Sequence, residues 1–228
     1  MANARVPPEP AAVDAALAHC YPEAASDLLA KDPWELLMAA ILSERAHELQ
    51  VNKVMAVLSE HLTSIAAVAE IDHRDLEPAL RQLPLYREKA RALVEAARCI
   101  LRLHHGQVPR TMEALAAIPG VSRPAAALVL GHAFATPAFA ATPEVRRVLS
   151  RLGWVAGTHP AEAEHAISER FAPQYWVVLS QRLLRLGRDS CRRVSPRCER
   201  CPLLELCPRR GCTSAACDTE DQGAPDRH

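Results

Sequence analysis

Apolar and polar positions along this chain alternate with a helical period. Leu36, Leu37, Ala40 and Ile41 fall on one face of a 3.6-residue repeat, and β-branched runs are short throughout. Ala, Leu, Arg and Glu, all strong helix formers, fill the stretches between Pro and Gly residues that recur about every ten to twenty positions. The pattern predicts an all-α chain of short helices over 11–20, 33–47, 50–61, 64–69, 73–82, 86–104, 111–117, 123–134, 143–153, 160–169, 173–186 and 202–206. Asp32 is placed to cap the second of these, with Pro33 at its first helical position.

Two stretches echo each other. Leu76–Ile100 and Met112–Leu130 both read as a helix, a proline, a tight apolar turn and a second helix. In the second, Ile118-Pro-Gly-Val121 puts Gly120 in a turn too tight for a side chain. Successive backbone N–H groups there, followed by a helix N-terminus, can cradle an anion such as a duplex phosphate. The same pattern also suits an ordinary αα-hairpin whose glycine only reverses the chain.

Charge narrows the field. Basic and acidic residues balance at 27 each, which argues against indiscriminate coating of nucleic acid. The basic set is lopsided, however: 24 arginines against Lys31, Lys53 and Lys89. Arginine's planar fork suits phosphate and carboxylate. Met1–Pro10 carries no signal-peptide core, and no stretch reaches the roughly 18 apolar residues of a membrane helix. The expectation is a reduced, cytoplasmic, nucleoid-associated protein.

Four cysteines then form a dense set. Cys191, Cys198, Cys201 and Cys207 make a C-x6-C-x2-C-x5-C run among polar neighbours. Four thiolates so close can hold an iron–sulfur cluster. A structural zinc uses the same ligands, usually as two C-x2-C pairs, and only Cys198 and Cys201 make one here. Metal-free or disulfide-bonded thiols are the remaining reading. Cys20 and Cys99 lie in apolar helical patterns and read as buried small hydrophobes, while Cys212 and Cys217 fall in a Gly/Ser/Asp-rich tail that reads as disordered.

The hairpin, the cysteine run and the sequence between them resemble the endonuclease III family of helix–hairpin–helix DNA glycosylases over about residues 10–208. Pro33-Trp-Glu-Leu-Leu-Met-Ala-Ala-Ile-Leu-Ser43 is similar to the family's pocket helix, and Val51-Asn-Lys53 follows it as in relatives. Leu85-Tyr86 with Lys89-Ala90 resembles the wedge loop, and Ile118-Pro-Gly-Val121 the hairpin turn. Arg147-Val148 and Arg151 match the helix after the catalytic loop, and Gly187-Arg188 precedes the first cluster cysteine.

The resemblance implies a two-domain fold. A helical barrel over 25–134 would carry the hairpin, and 10–24 with 135–208 would form an iron–sulfur cluster domain, ahead of a 209–228 tail. It implies a [4Fe-4S] cluster on Cys191, Cys198, Cys201 and Cys207. It also implies a monomer that binds damaged or abasic double-stranded DNA, bending it and flipping out a base. The residues implied at the DNA are Arg45, in place of a glutamine that fills the gap behind the flipped base, the wedge Leu85, the hairpin residues Gly120, Val121, Ser122 and Arg123, and the loop arginines Arg192 and Arg193.

The chain departs from the family where its chemistry resides. Relatives read G-V-G-x-K-T-A, and their lysine attacks C1′ and forms the Schiff base that leads to strand cleavage. This chain reads Gly120-Val-Ser-Arg-Pro124-Ala-Ala. Relatives read V-D-T-x-I-x-R-V, and this chain has Ala141-Thr142-Pro-Glu-Val-Arg-Arg147-Val148, so Thr142 stands for the aspartate. Little or no ordinary glycosylase or lyase activity is expected. Glu44 and Glu144 are the candidate substitute carboxylates for a monofunctional glycosylase. A redox or protein-interaction module that has left DNA is a third reading.

Overall fold

The computed structural model describes residues 6–62, 64–157 and 159–212, and among them there is no strand. The helices are α1 (Pro10–Cys20), α2 (Pro33–Leu42), α3 (Glu48–His61), α4 (Ile65–Glu70), α5 (His73–Leu80), α6 (Tyr86–Leu103), α7 (Met112–Ala116), α8 (Arg123–Ala133), α9 (Pro143–Arg151), α10 (Pro160–Ser168) and α11 (Trp176–Asp189). The all-α expectation holds. By contacts the chain divides into a continuous unit, 26–140, and a discontinuous one made of the chain up to Ala25 and from Ala141 onward.

The continuous unit is built around α2. Asp32 caps it, accepting from Glu35 N at 2.8 Å, and Pro33 opens it. Eight of its ten residues are buried, so the helix is apolar all round and lies inside the unit, packed on α3, α6 and α8. It ends at Leu42, short of the predicted 47. The Ser43 hydroxyl donates back to Ala39 O at 2.7 Å, Ala46 N closes a turn on Ser43 O, and Arg45 takes a left-handed φ of 54°.

The echo in the sequence is a repeat in the fold. Helices α5 and α6 form one hairpin and α7 and α8 another, in a common register offset by 35 positions. Leu80 and Leu115 are buried at corresponding places, as are Leu83 and Ile118. The turn residues Leu85 and Gly120 both adopt left-handed φ, 57° and 78°. At Gly120 a Cβ would lie 2.5 Å from the Cβ of Ala92 on α6, so the second turn admits only glycine.

The discontinuous unit joins the two ends of the chain. Arg182 of α11 pairs with Asp14 of α1 at 2.9 Å, and Trp154 Nε1 donates to Pro8 O at 3.0 Å. α9 packs on α11 at Gly187, where a Cβ would come within 2.8 Å of Glu144 Cβ and 3.2 Å of its carbonyl oxygen. Three sequence expectations change here. The 202–206 segment is a series of turns instead of a helix. Cys99 is buried, but Cys20 is exposed, because α1 stops there with only Val13 and Leu17 covered. Arg209–Cys212, assigned to the tail, are folded: Arg210 N donates to Arg151 O at 3.1 Å and Cys212 N to Arg209 O at 3.1 Å. The remainder of that tail, with Cys217, lies outside the described residues.

Candidate functional site

The candidate residues fall in both units. In the discontinuous unit, Cys191, Cys198, Cys201 and Cys207 line one cavity of about 310 Å³ of empty space, part of it open to solvent, together with Arg151, Leu204, Arg209 and Cys212. The loop that carries them starts where α11 ends. Cys191 N and Ser190 N both bond to Leu186 O, at 2.8 and 3.0 Å, and Arg197 N returns to Ser190 O at 2.8 Å. A short 3₁₀ turn, Cys198–Arg200, delivers the middle pair.

Two arginines of α9 fix this loop. Arg151, only 8 % exposed, donates from one terminal nitrogen to Cys191 Sγ at 3.2 Å and to Arg192 O at 2.7 Å. Arg147 donates to Cys191 O at 2.9 Å and Gly187 O at 3.0 Å. Burial pulls the Arg147 pKa down. At Arg151 burial acts the same way, but the hydrogen bond and the charges of Cys191, Cys212 and Cys198 prevail and raise it. Burial pushes the Cys201 and Cys207 thiols up to about 11 each. No group of three or more His, Cys, Asp or Glu among the described residues is gathered to hold a single metal ion.

Sequence matching noted Arg147 and Arg151 without giving them a role. Their four-residue spacing puts them on one helix face, and that was the available signal. The loop arginines Arg192 and Arg193 are exposed, with Arg192 Nε donating to Arg188 O at 3.2 Å.

In the continuous unit, the hairpin turn presents Gly120, Ser122 and Arg123 at the surface, with Val121 buried and its N–H bonded to Ile118 O at 3.1 Å. Ser122 caps α8 by accepting from Ala125 N at 3.3 Å. Pro124 occupies the second position of that helix and brings no N–H, so the helix start offers fewer donors to an anion than its backbone path suggests. Arg45 and Leu85 are exposed on separate loops, each left-handed, at about 1–2 kcal/mol of backbone cost apiece.

The hairpin register gives Pro124 a counterpart. Lys89 stands 35 positions earlier, 4 % exposed on α6, and its Nζ makes no hydrogen bond. Burial lowers its pKa against the pull of the nearby Glu44 carboxylate. Glu44 itself is exposed, one residue before Arg45.

Thr142 and Glu144 belong to the discontinuous unit. Thr142 caps α9, its hydroxyl accepting from Val145 N at 3.3 Å. Glu144 is half-buried in the first turn, against Gly187, with its charge felt by Arg147.

This hairpin-plus-cysteine arrangement has known counterparts. The model of the HhH-GPD superfamily of base excision DNA repair proteins matches residues 38–173. The endonuclease III of Thermotoga maritima is 32% identical over 183 residues, covering 79% of this chain and 86% of the relative. That of Escherichia coli K12 is 31% identical over 186 residues, 82% and 88%. The chain belongs to the endonuclease III family. A solved trapped endonuclease III–DNA covalent intermediate, an estranged-adenine complex, superposes with a TM-score of 0.81 at 32% identity, covering 87% of this chain and 95% of that one. A non-covalent endonuclease III–DNA complex gives 0.79 at 33% identity, covering 84% and 90%. Within the endonuclease III fold, Pro124 and Thr142 are therefore both helix-start residues, with backbone roles in α8 and α9.

Proposed function

We propose that the protein recognises damaged, abasic or otherwise distorted duplex DNA and lacks the lysine-dependent lyase chemistry of its family. The observation that carries this reading is the use made of the two catalytic positions. Pro124 has no nucleophile, and Thr142, which caps α9, has no carboxylate. Features suited to DNA persist in the continuous unit: an exposed Leu85 and Arg45 held in left-handed turns, and a hairpin glycine that nothing larger could replace. The endonuclease III–DNA complexes that share the fold support DNA as the partner. Leu85 would enter between bases, Arg45 would fill the gap behind a displaced base, and Arg192 and Arg193 would meet phosphates.

The cofactor is a [4Fe-4S] cluster on Cys191, Cys198, Cys201 and Cys207. The donor set fits it: four thiols surround one cavity, and a buried arginine donates to one of the sulfurs. A tetrahedral zinc with Zn–S near 2.3 Å needs its sulfurs within about 4 Å of each other. A four-iron centre is held by four thiolates, and this run has only one C-x2-C pair where a structural zinc usually has two. When bound, the cluster supplies a cross-link and a polarisable multi-iron centre. Arg151 stabilises thiolate charge at Cys191, and Arg147 holds the backbone on either side of the first ligand.

A second reading rests on Glu44. Exposed beside Arg45, it is better placed to activate a water than Glu144, which is packed against α11. In that case the protein releases a base without cutting the strand.

One set of assays separates these readings. Fluorescence anisotropy with abasic-site and undamaged duplexes at several salt concentrations should show tighter, salt-dependent binding to the abasic one. Borohydride should trap no covalent complex. Trapping by the wild-type protein overturns the proposal. Base release abolished by Glu44→Gln establishes the second reading, and equal affinity for both duplexes removes DNA damage recognition altogether.

A further inference from the structure

The cavity holds one thiol more than a four-ligand cluster uses. Cys212 lines it beside Cys191, Cys198, Cys201 and Cys207. It arrives there by a tight turn. Arg209 and Gly211 both take left-handed φ, 55° and 70°. Arg209 N donates to Cys207 Sγ at 3.4 Å, Arg210 N to Arg151 O at 3.1 Å and Cys212 N to Arg209 O at 3.1 Å. The chain beyond the fourth cysteine is thus bent back onto Arg151, the residue that donates to Cys191 Sγ.

We propose that Cys212 is a reserve ligand of the iron–sulfur site, able to take an iron when one of the four regular thiolates lets go, Cys191 first among them. The proposal rests on the cluster assignment made above. Cys191 is the natural ligand to be replaced because Arg151 donates to its sulfur, and the carbonyl of the same Arg151 fastens the turn that brings Cys212 to the cavity. The exchange balances without an oxidant. The iron–sulfur bond to the departing cysteine breaks and that sulfur takes up a proton. Cys212 gives up its thiol proton and forms the new bond to the same iron, and no electron changes hands. A thiol held in the cavity makes this exchange intramolecular, so a partly detached cluster is recaptured before it is lost.

Iron and sulfide content and visible absorbance, on full-length protein purified anaerobically, test it. Cys212→Ala should load as the wild type does and bleach several-fold faster in air. Cys191→Ala should retain a cluster that Cys191→Ala/Cys212→Ala lacks, and the remaining three ligands are tested in the same paired way. Retention that depends on Cys212 in any of the four backgrounds supports the proposal. Equal bleaching of wild type and Cys212→Ala, with cluster loss in all four backgrounds regardless of Cys212, overturns it. Wild-type protein with no iron at all would instead remove the cluster assignment beneath it.

Discussion

Replacing Gly120 with alanine tests the hairpin most sharply, because the structure separates its cost into two parts. The first is backbone: φ is +78°, and an L-residue there pays about 1–2 kcal/mol. The second is steric. The new Cβ lies 2.5 Å from Ala92 Cβ, well inside the roughly 3.5–4.0 Å of an ordinary carbon contact. The neighbour is the first side-chain atom of a helix, so α6 must move as a body, and such overpacking costs about 1–3 kcal/mol. Together they predict a loss of about 2–5 kcal/mol. Ala92→Gly removes the clash and leaves the backbone part. In a cycle of wild type, both single variants and the double, the coupling energy should therefore recover about 1–3 kcal/mol. Urea unfolding followed by far-ultraviolet circular dichroism measures all four, and the visible absorbance of the proposed cluster follows the cysteine-bearing unit separately. A Gly120→Ala variant within 0.5 kcal/mol of wild type would refute the close approach. Strict additivity with Ala92→Gly would refute the partner.

Three further outcomes are expected. Thr142→Ala should lose about 1 kcal/mol of stability with its cap, whereas Thr142→Asp keeps the cap; in urea titrations the two should differ by that amount. Pro124→Lys combined with Thr142→Asp should give a borohydride-trapped product on abasic DNA at least about 10²-fold above wild type on gels, if those two positions are what the chemistry lacks. In the iron-free protein, Cys201 and Cys207 are raised from 9.0 to about 11, so their neutral forms favour the fold. That contribution is complete below pH 9 and is lost as pH climbs towards 11, and thermal melts across this range should fall in iron-free but not in loaded protein.

The helices were legible because their local signals agree with the fold. Asp32-Pro33 announces α2 and caps it in the structure; Ser122 and Thr142, read only as departures from the family pattern, cap α8 and α9. The end of α2 was not legible, because Glu44, Arg45 and Ala46 are acceptable helix residues, and the break depends on the Ser43 back-bond and a left-handed Arg45. The four cysteines could be read as one set from spacing alone. Arg151 could not be joined to them, since its contact to Cys191 spans 40 positions and exists only once α9 lies against α11. Cys212 was hidden by its surroundings, because a Gly- and Ser-rich composition says nothing of a turn fastened by Arg151 O.

The repeat within the continuous unit turns one of these residues into an argument about function. Leu85 and Gly120 hold the same register and the same left-handed backbone, so the hairpin demands the conformation and not the residue. Glycine meets that demand at no steric cost, and at Gly120 the packing of Ala92 permits nothing else. At the first turn glycine would serve equally well for the backbone. A leucine stands there instead, 43 % exposed, and bears the strain of left-handed geometry without the shelter of a core. Folding alone gives no reason for that choice, since both the strain and the exposed apolar surface oppose it. A side chain that must project from a rigid turn into something apolar, such as a stack of bases, gives one.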